Sequence, residues 1–175
     1  RRPKPDDFQV KQAVEKIKNS NNPLIISGGG VFYSNAMEEL SSFAIKHNIP
    51  VTQTVMGYSS MKRDHSHFLG PIGGLGGKAA NNLAKQTDLA IAIGTKLADF
   101  TTGSWANFEN PEFKLISINV SRFDANKHMA SSVIGDAKVS LNELSQALGN
   151  WKAPDAWHKK SVNELKLSLI HISEP

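Results

Sequence analysis

The chain contains no cysteine among its 175 residues. Disulfide staples and thiolate metal sites are thereby excluded, and the composition fits a reducing compartment, so a cytoplasmic location is expected. Also missing is any apolar run near the roughly 20 residues that a bilayer-spanning helix needs. No secretory signal pattern opens the chain, and no membrane partner is expected. Basic clusters are lacking as well. The formal charge is +4, yet the densest groupings are the pairs Arg1-Arg2, Lys62-Arg63 and Lys159-Lys160. Charge spread so thinly leaves no nucleic-acid footprint. What is present is ordinary for a globular domain: 39% hydrophobic and 21% charged residues, in a length that suits one core rather than two.

The apolar pattern alternates between strand and helix. Asp6 is placed to cap a helix running to about Asn19, with Gln9 at capping-box spacing and Phe8, Val10, Val14 and Ile17 facing a core. Leu24-Ile25-Ile26-Ser27 is a short continuous apolar run, as a buried parallel strand should be. A second helix is predicted from Asn35, paired with Glu38 as a capping box, and presents Met37, Leu40, Phe43, Ala44 and His47 at helical intervals. Strands follow at 50–55, 89–93 and 114–120, with a short one at 133–134. Residues 57–72 and 95–113 read as loops, and a helix opens after Gly73-Gly74-Leu75-Gly76-Gly77. Asp136 caps a last helix that stops at Gly149. Strand–loop–helix repeats with right-handed crossovers predict an α/β fold, Rossmann-like, a three-layer α/β/α sandwich around a parallel sheet. Gly28, Gly57 and Gly94 mark the carboxyl ends of three strands, the edge where open α/β sheets bind ligands.

Several motifs invite chemistry and fail its requirements. Gly28-Gly29-Gly30 could cradle a pyrophosphate, but the third fingerprint glycine is replaced by Tyr33 and no acidic residue closes the second strand. Gly70 to Lys78 is not a Walker loop, because Ala79 stands where Ser or Thr would hold magnesium. His65 and His67 lack a third metal ligand nearby in sequence. Asp124 and His128, spaced i to i+4, could meet on one helical turn. Ser104 has no evident histidine partner for a hydrolase triad. The most distinctive loop is Asp99-Phe-Thr-Thr-Gly-Ser-Trp105, whose Thr101, Thr102, Phe100 and Trp105 could seat a flat ligand or dock another domain. Gly73 and Gly74 lack Cβ atoms and so allow close approach of backbone or ligand.

Four segments together carry a resemblance: Pro23-Leu-Ile-Ile-Ser-Gly-Gly-Gly30, His47-Asn-Ile-Pro-Val51, Gly70-Pro-Ile-Gly73 and Asp88-Leu-Ala-Ile-Ala-Ile-Gly-Thr95. Their succession resembles the central domain of thiamine-diphosphate enzymes of the acetolactate synthase class. Within that class, residues 99–105 and Ser117-Ile-Asn-Val-Ser-Arg-Phe-Asp-Ala-Asn-Lys-His128 resemble the ring-dione hydrolases of myo-inositol breakdown. The resemblance covers residues 1 to about 166. It implies a sheet of about six strands and a three-domain chain in which the flanking domains hold thiamine diphosphate and Mg2+. It also implies that a cyclic dione is opened by C–C bond hydrolysis to a linear deoxy-uronic acid, and that the full-length chain forms a homo-oligomer, a dimer or tetramer.

On this reading residues 1–5 are a linker from an upstream domain and 6–150 the central domain. Residues 151–166 are a polar linker of helical tendency, and 167–175 a non-native tail. No catalytic, metal or cofactor residue is assigned to the segment itself. Its ligand or domain-contact candidates are Gly28, Gly29, Gly30, Gly73, Gly74, Thr101, Thr102 and Asn119. FAD is not expected. The alternative is an FAD-binding central domain of an acetolactate synthase-like carboligase, which would use Gly28 to Gly30, Gly73-Gly74 and Asn119.

Overall fold

A computed structural model describes residues 1–170, with the side chains of Leu169 and Ile170 left aside. The elements run α1 (Asp7–Lys18), β1 (Pro23–Ser27), α2 (Gly29–Tyr33), α3 (Met37–His47), β2 (Val51–Gln53), β3 (Phe68–Pro71), α4 (Lys78–Ala84) and β4 (Leu89–Ile93). They continue with α5 (Asp99–Thr102), β5 (Lys114–Asn119), α6 (Arg122–Ala125), β6 (Ser131–Ile134), α7 (Ala137–Leu148) and α8 (Asp155–Ile170). All six strands are parallel, in the order β3-β2-β1-β4-β5-β6. This is the doubly wound order, and its direction reverses between β1 and β4.

Side-chain alternation along each strand builds the two faces. Ile25, Ile91, Ile93, Ile116 and Ile118 point to one side and pack with Val14 and Ile17 of α1, Leu40 and Phe43 of α3, and Leu141 and Leu144 of α7. Leu24, Ile26, Ala90 and Ala92 point to the other, against Ala80 and Leu83 of α4 and Trp157 of α8. Phe43, Ile91 and Ile93 are fully buried, and burial of such side chains contributes about 1.5–3 kcal/mol each.

Several expectations need correction. The loop predicted over 57–72 contains β3, which its brevity and terminal Pro71 conceal; as an edge strand it tolerates proline. Phe8 is exposed, not in the core. Asp6 caps α1 by accepting from the Phe8 and Gln9 N–H groups, but Gln9 does not close a box. Its Oε1 instead accepts from the Ile134 N–H and ties α1 to β6. Asn35 caps no helix: it sits at φ 52° between α2 and α3, and Ala36 occupies the cap position.

The two ends dock closely. Arg2 reaches Ser34 and the Asp136 carboxylate (2.9 Å), while Asp136 N–H donates to the Pro3 carbonyl. Within 151–166 the helical tendency is realised in α8, which also packs as an integral part of the domain. Trp157 is 3% exposed, and its indole N–H donates to the Pro23 carbonyl at 2.8 Å. The helix runs on through Ile170, into the first residues of the expected tail. The rest of that tail, 171–175, lies outside the described residues.

Candidate functional site

A cleft of about 390 Å³ lies above the carboxyl ends of β1 and β4, at the reversal point. A second hollow of about 290 Å³ continues it toward β5 and β6 and shares Gly30, Tyr33, Gly94 and Asn119. The cleft walls come from loops that follow β1, β2, β4 and β5.

The glycines of β1 and β4 meet one another rather than open space. Gly28 N–H donates to the Ile93 carbonyl (2.8 Å) and Gly30 N–H to the Gly94 carbonyl (2.9 Å). A Cβ on Gly30 would stand 2.6 Å from the Gly94 Cα, and Gly94 itself has φ 61°. The turn after β1 thus spends these two amides on β4, and a phosphate cradle would need such amides unpaired. The helix behind it, α2, has only five residues. Gly29 lines the cleft while backing closely onto the Met56 carbonyl.

The other predicted residues are divided. Thr101 and Asn119 reach the cleft. The Asn119 amide is already occupied, donating to the Thr95 carbonyl (3.2 Å) and accepting from the Ser121 N–H (3.0 Å). Thr102 is fully buried and its hydroxyl accepts from the Trp105 N–H. Gly73 and Gly74 pack against α5: Gly74 N–H donates to the Phe100 carbonyl at 2.9 Å, and a Cβ on Gly73 would collide with that carbonyl oxygen. Asp124 and His128 do not pair. Asp124 binds Lys127 at 2.8 Å, and His128, at φ 58°, lays its ring 4.6 Å from that of Trp105.

Sequence reading missed Tyr33, Met56 and Lys96, which line the cleft. Tyr33 is 80% and Met56 72% exposed. Their position within six residues of the carboxyl ends of β1, β2 and β4 was the available signal. Phe32, Val55, Tyr58, Leu75, Phe100, Val120 and Phe123 are likewise exposed in loops that follow β1, β2, β3, β4 and β5. The hydrogen bond from Lys127 holds the Asp124 carboxyl below the usual carboxylate range. Chemically the cleft offers flat apolar surface, the Lys96 ammonium, which has no ion-pair partner among the described residues, and the Asp124 carboxylate paired with Lys127.

The carboxylate that lines the cleft, Asp124, is engaged by Lys127. Among the described residues no group of three or more His, Cys, Asp or Glu is placed to hold a metal. His65 and His67 have ring centroids 5.8 Å apart, and His67 is stacked on His158. No helix among the described residues is long and apolar enough to cross a membrane.

A family model described as "Thiamine pyrophosphate enzyme, central domain" matches residues 10–144. The 3D-(3,5/4)-trihydroxycyclohexane-1,2-dione hydrolase of Clostridium perfringens (strain 13 / Type A) is 44% identical over 90% of this chain and 25% of its own length. The protein of the same name from Bacillus cereus (strain AH820) is 45% identical over 95% of this chain and 27% of its own. The chain therefore spans about a quarter of the length of these curated relatives. An X-ray structure of a protein assigned as a thiamin diphosphate-dependent enzyme from Mycobacterium smegmatis superposes with TM-score 0.69 at 20% identity. It covers 86% of this chain and 29% of that one, and at that identity it speaks for the fold alone.

Proposed function

Because the chain belongs to the family of thiamine pyrophosphate enzyme central domains, we propose that it is the cofactor-free middle domain of a thiamine-diphosphate-dependent hydrolase. That enzyme opens the ring of 3D-trihydroxycyclohexane-1,2-dione to 5-deoxy-glucuronate in myo-inositol catabolism. The hydrolases named above support the reaction class, at 44% and 45% identity across nearly the whole segment. Thiamine diphosphate, with Mg2+, belongs on this reading to domains flanking residues 1–5 and 151–166, in a cytoplasmic homo-oligomer. The cofactor supplies an electron sink for C–C cleavage; this chain supplies spacing and a surface.

One observation carries the scaffold role: the Gly28 and Gly30 amides are consumed by β4. Gly28, Gly29, Gly30, Gly73, Gly74, Thr101, Thr102 and Asn119 are then packing and domain-contact residues rather than ligand donors. The same pairing weighs against the FAD-binding carboligase alternative, since Asn119 and the Gly28 and Gly30 amides already have internal partners.

The test uses the full-length protein. Ring opening should require both thiamine diphosphate and Mg2+, and the preparation should be colourless, with a melting temperature unmoved by FAD. No turnover of the cyclic dione with both cofactors present would overturn the reaction. Visible flavin absorbance that survives gel filtration would overturn the scaffold role.

A further inference from the structure

Three histidines gather at the amino-terminal edge of the sheet, away from the cleft. His67, just before β3, is buried and stacks face to face on His158 of α8, with ring centroids 4.0 Å apart and planes 12° apart. His65 lies 5.8 Å from His67. Asn48, beyond the end of α3, joins the same group to α8. Its Oδ1 is 3.2 Å from His67 Nε2, and its Nδ2 donates to the Asp155 carboxylate (3.0 Å) and the Ala153 carbonyl (3.2 Å).

His67 Nε2–H donates to the Asn48 Oδ1 (3.2 Å), and Nδ1 lies 2.9 Å from the Ser66 hydroxyl, which can donate to a neutral ring or accept from a charged one. The face-to-face stack on His158 at 4.0 Å disfavours two charges there. Among the described residues His158 Nδ1 is buried without a hydrogen-bond partner. A buried lone pair is tolerated there; a buried N–H+ with no acceptor is costly. Proton uptake at that nitrogen therefore requires water to enter between α8 and the strand edge, and at His65 Nδ1 it would break the bond accepted from the His67 N–H (3.2 Å).

We propose that the His65–His67–His158 group is an acid-releasable latch that holds α8 on the domain and lets it go while the sheet remains folded. The charged and titratable groups that face the stack are few. His65 and Asp64 come from the loop before β3, and Asp155 comes from the start of α8. Asn48, from the end of α3, is neutral. Burial lowers all three imidazoles, and His67, facing His158 and His65, is pushed down to about 4. Asp64 beside His65 and Asp155 beside His158 oppose this without reversing it. The sign follows directly. A histidine lowered in the closed state binds more protons once released, so closure is favoured above about pH 6.5 and lost as pH falls toward 4. If α8 release restores His67 to its ordinary value, opening grows by up to about twentyfold between pH 7 and 5 from that group alone. His47 of α3, also buried and lowered by burial, holds the Trp151 carbonyl in the segment before α8, whereas β1 and β4 are buried throughout and carry no ionisable side chain.

Hydrogen exchange on the full chain at pH 7, 6 and 5, corrected for intrinsic rates, tests the latch. Protection of α8 amides and of the Trp157 indole N–H should fall by about ten- to twentyfold while β1 and β4 keep theirs. The double variant His67→Phe, His158→Phe keeps a stack that cannot charge and should abolish most of the fall. If the pair folds poorly, His158→Phe alone serves. Equal acid dependence in variant and unaltered protein overturns the proposal. So does parallel loss of protection in α8 and β4 of the unaltered protein, which needs no variant at all.

Discussion

The two edges of the sheet are built from the same strands and finished in opposite ways. At the amino-terminal ends of β1 and β4 polar groups are turned inward and paired, in contrast to the histidine group beside β3. The Asp88 carboxylate takes in the Ser20 hydroxyl and the Asn21 and Asn22 N–H groups, Thr87 donates to the Asn22 carbonyl, and Trp157 closes onto Pro23. At the carboxyl-terminal edge the backbone is tightly paired through Gly28, Gly30 and Gly94, but the side chains face out. Tyr33, Met56 and Phe100 stand exposed around the cleft. One edge therefore serves stability. The other keeps apolar surface available, the kind of patch that marks a contact site.

This contrast can be broken or sharpened by substitution. The largest effect is expected at Gly94, whose new Cβ in Gly94→Ala would meet the Gly30 backbone at 2.6 Å with φ 61°. Left-handed strain and overpacking together should cost about 3 kcal/mol, read as a lowered urea midpoint. A cost below about 1 kcal/mol would mean that the two turns are not locked together. Next comes Asp88→Ala, which removes the acceptor of the buried Ser20 hydroxyl and of the Asn21 and Asn22 N–H groups and should cost about 2 kcal/mol in the same measurement. Trp157→Phe keeps most of the buried ring but leaves the Pro23 carbonyl without its donor. It should cost about 1 kcal/mol and speed exchange in α8 before any strand.

The smallest change is expected on the open edge. Tyr33→Ser and Met56→Ser should each move the stability of this chain by no more than about 0.5 kcal/mol, as surface substitutions do. The same changes in the full-length enzyme should impair domain packing or turnover more than they impair this chain's melting. Equal effects at the two edges would erase the distinction between a sealing edge and a contacting one.

Local signals decided much of the architecture. The apolar runs at 24–27, 89–93 and 114–120, the caps Asp6 and Asp136 and the stop at Gly149 were legible because each depends on neighbours within a few residues. The parallel α/β sandwich followed from their alternation, and the four resembling segments pointed to the family. Tertiary structure alone decided where polar side chains went and which glycines met. Gln9 turned from its own helix to β6, and Asn119 bonded Thr95. Gly28 and Gly30 gave their amides to β4 in place of a ligand. β3 emerged because β2 offered it a partner, and a polar stretch at 151–166 became a packed helix because Trp157 found Pro23. Such choices depend on atoms distant in the chain and near in space, and hydrophobic spacing along a sequence carries no record of them.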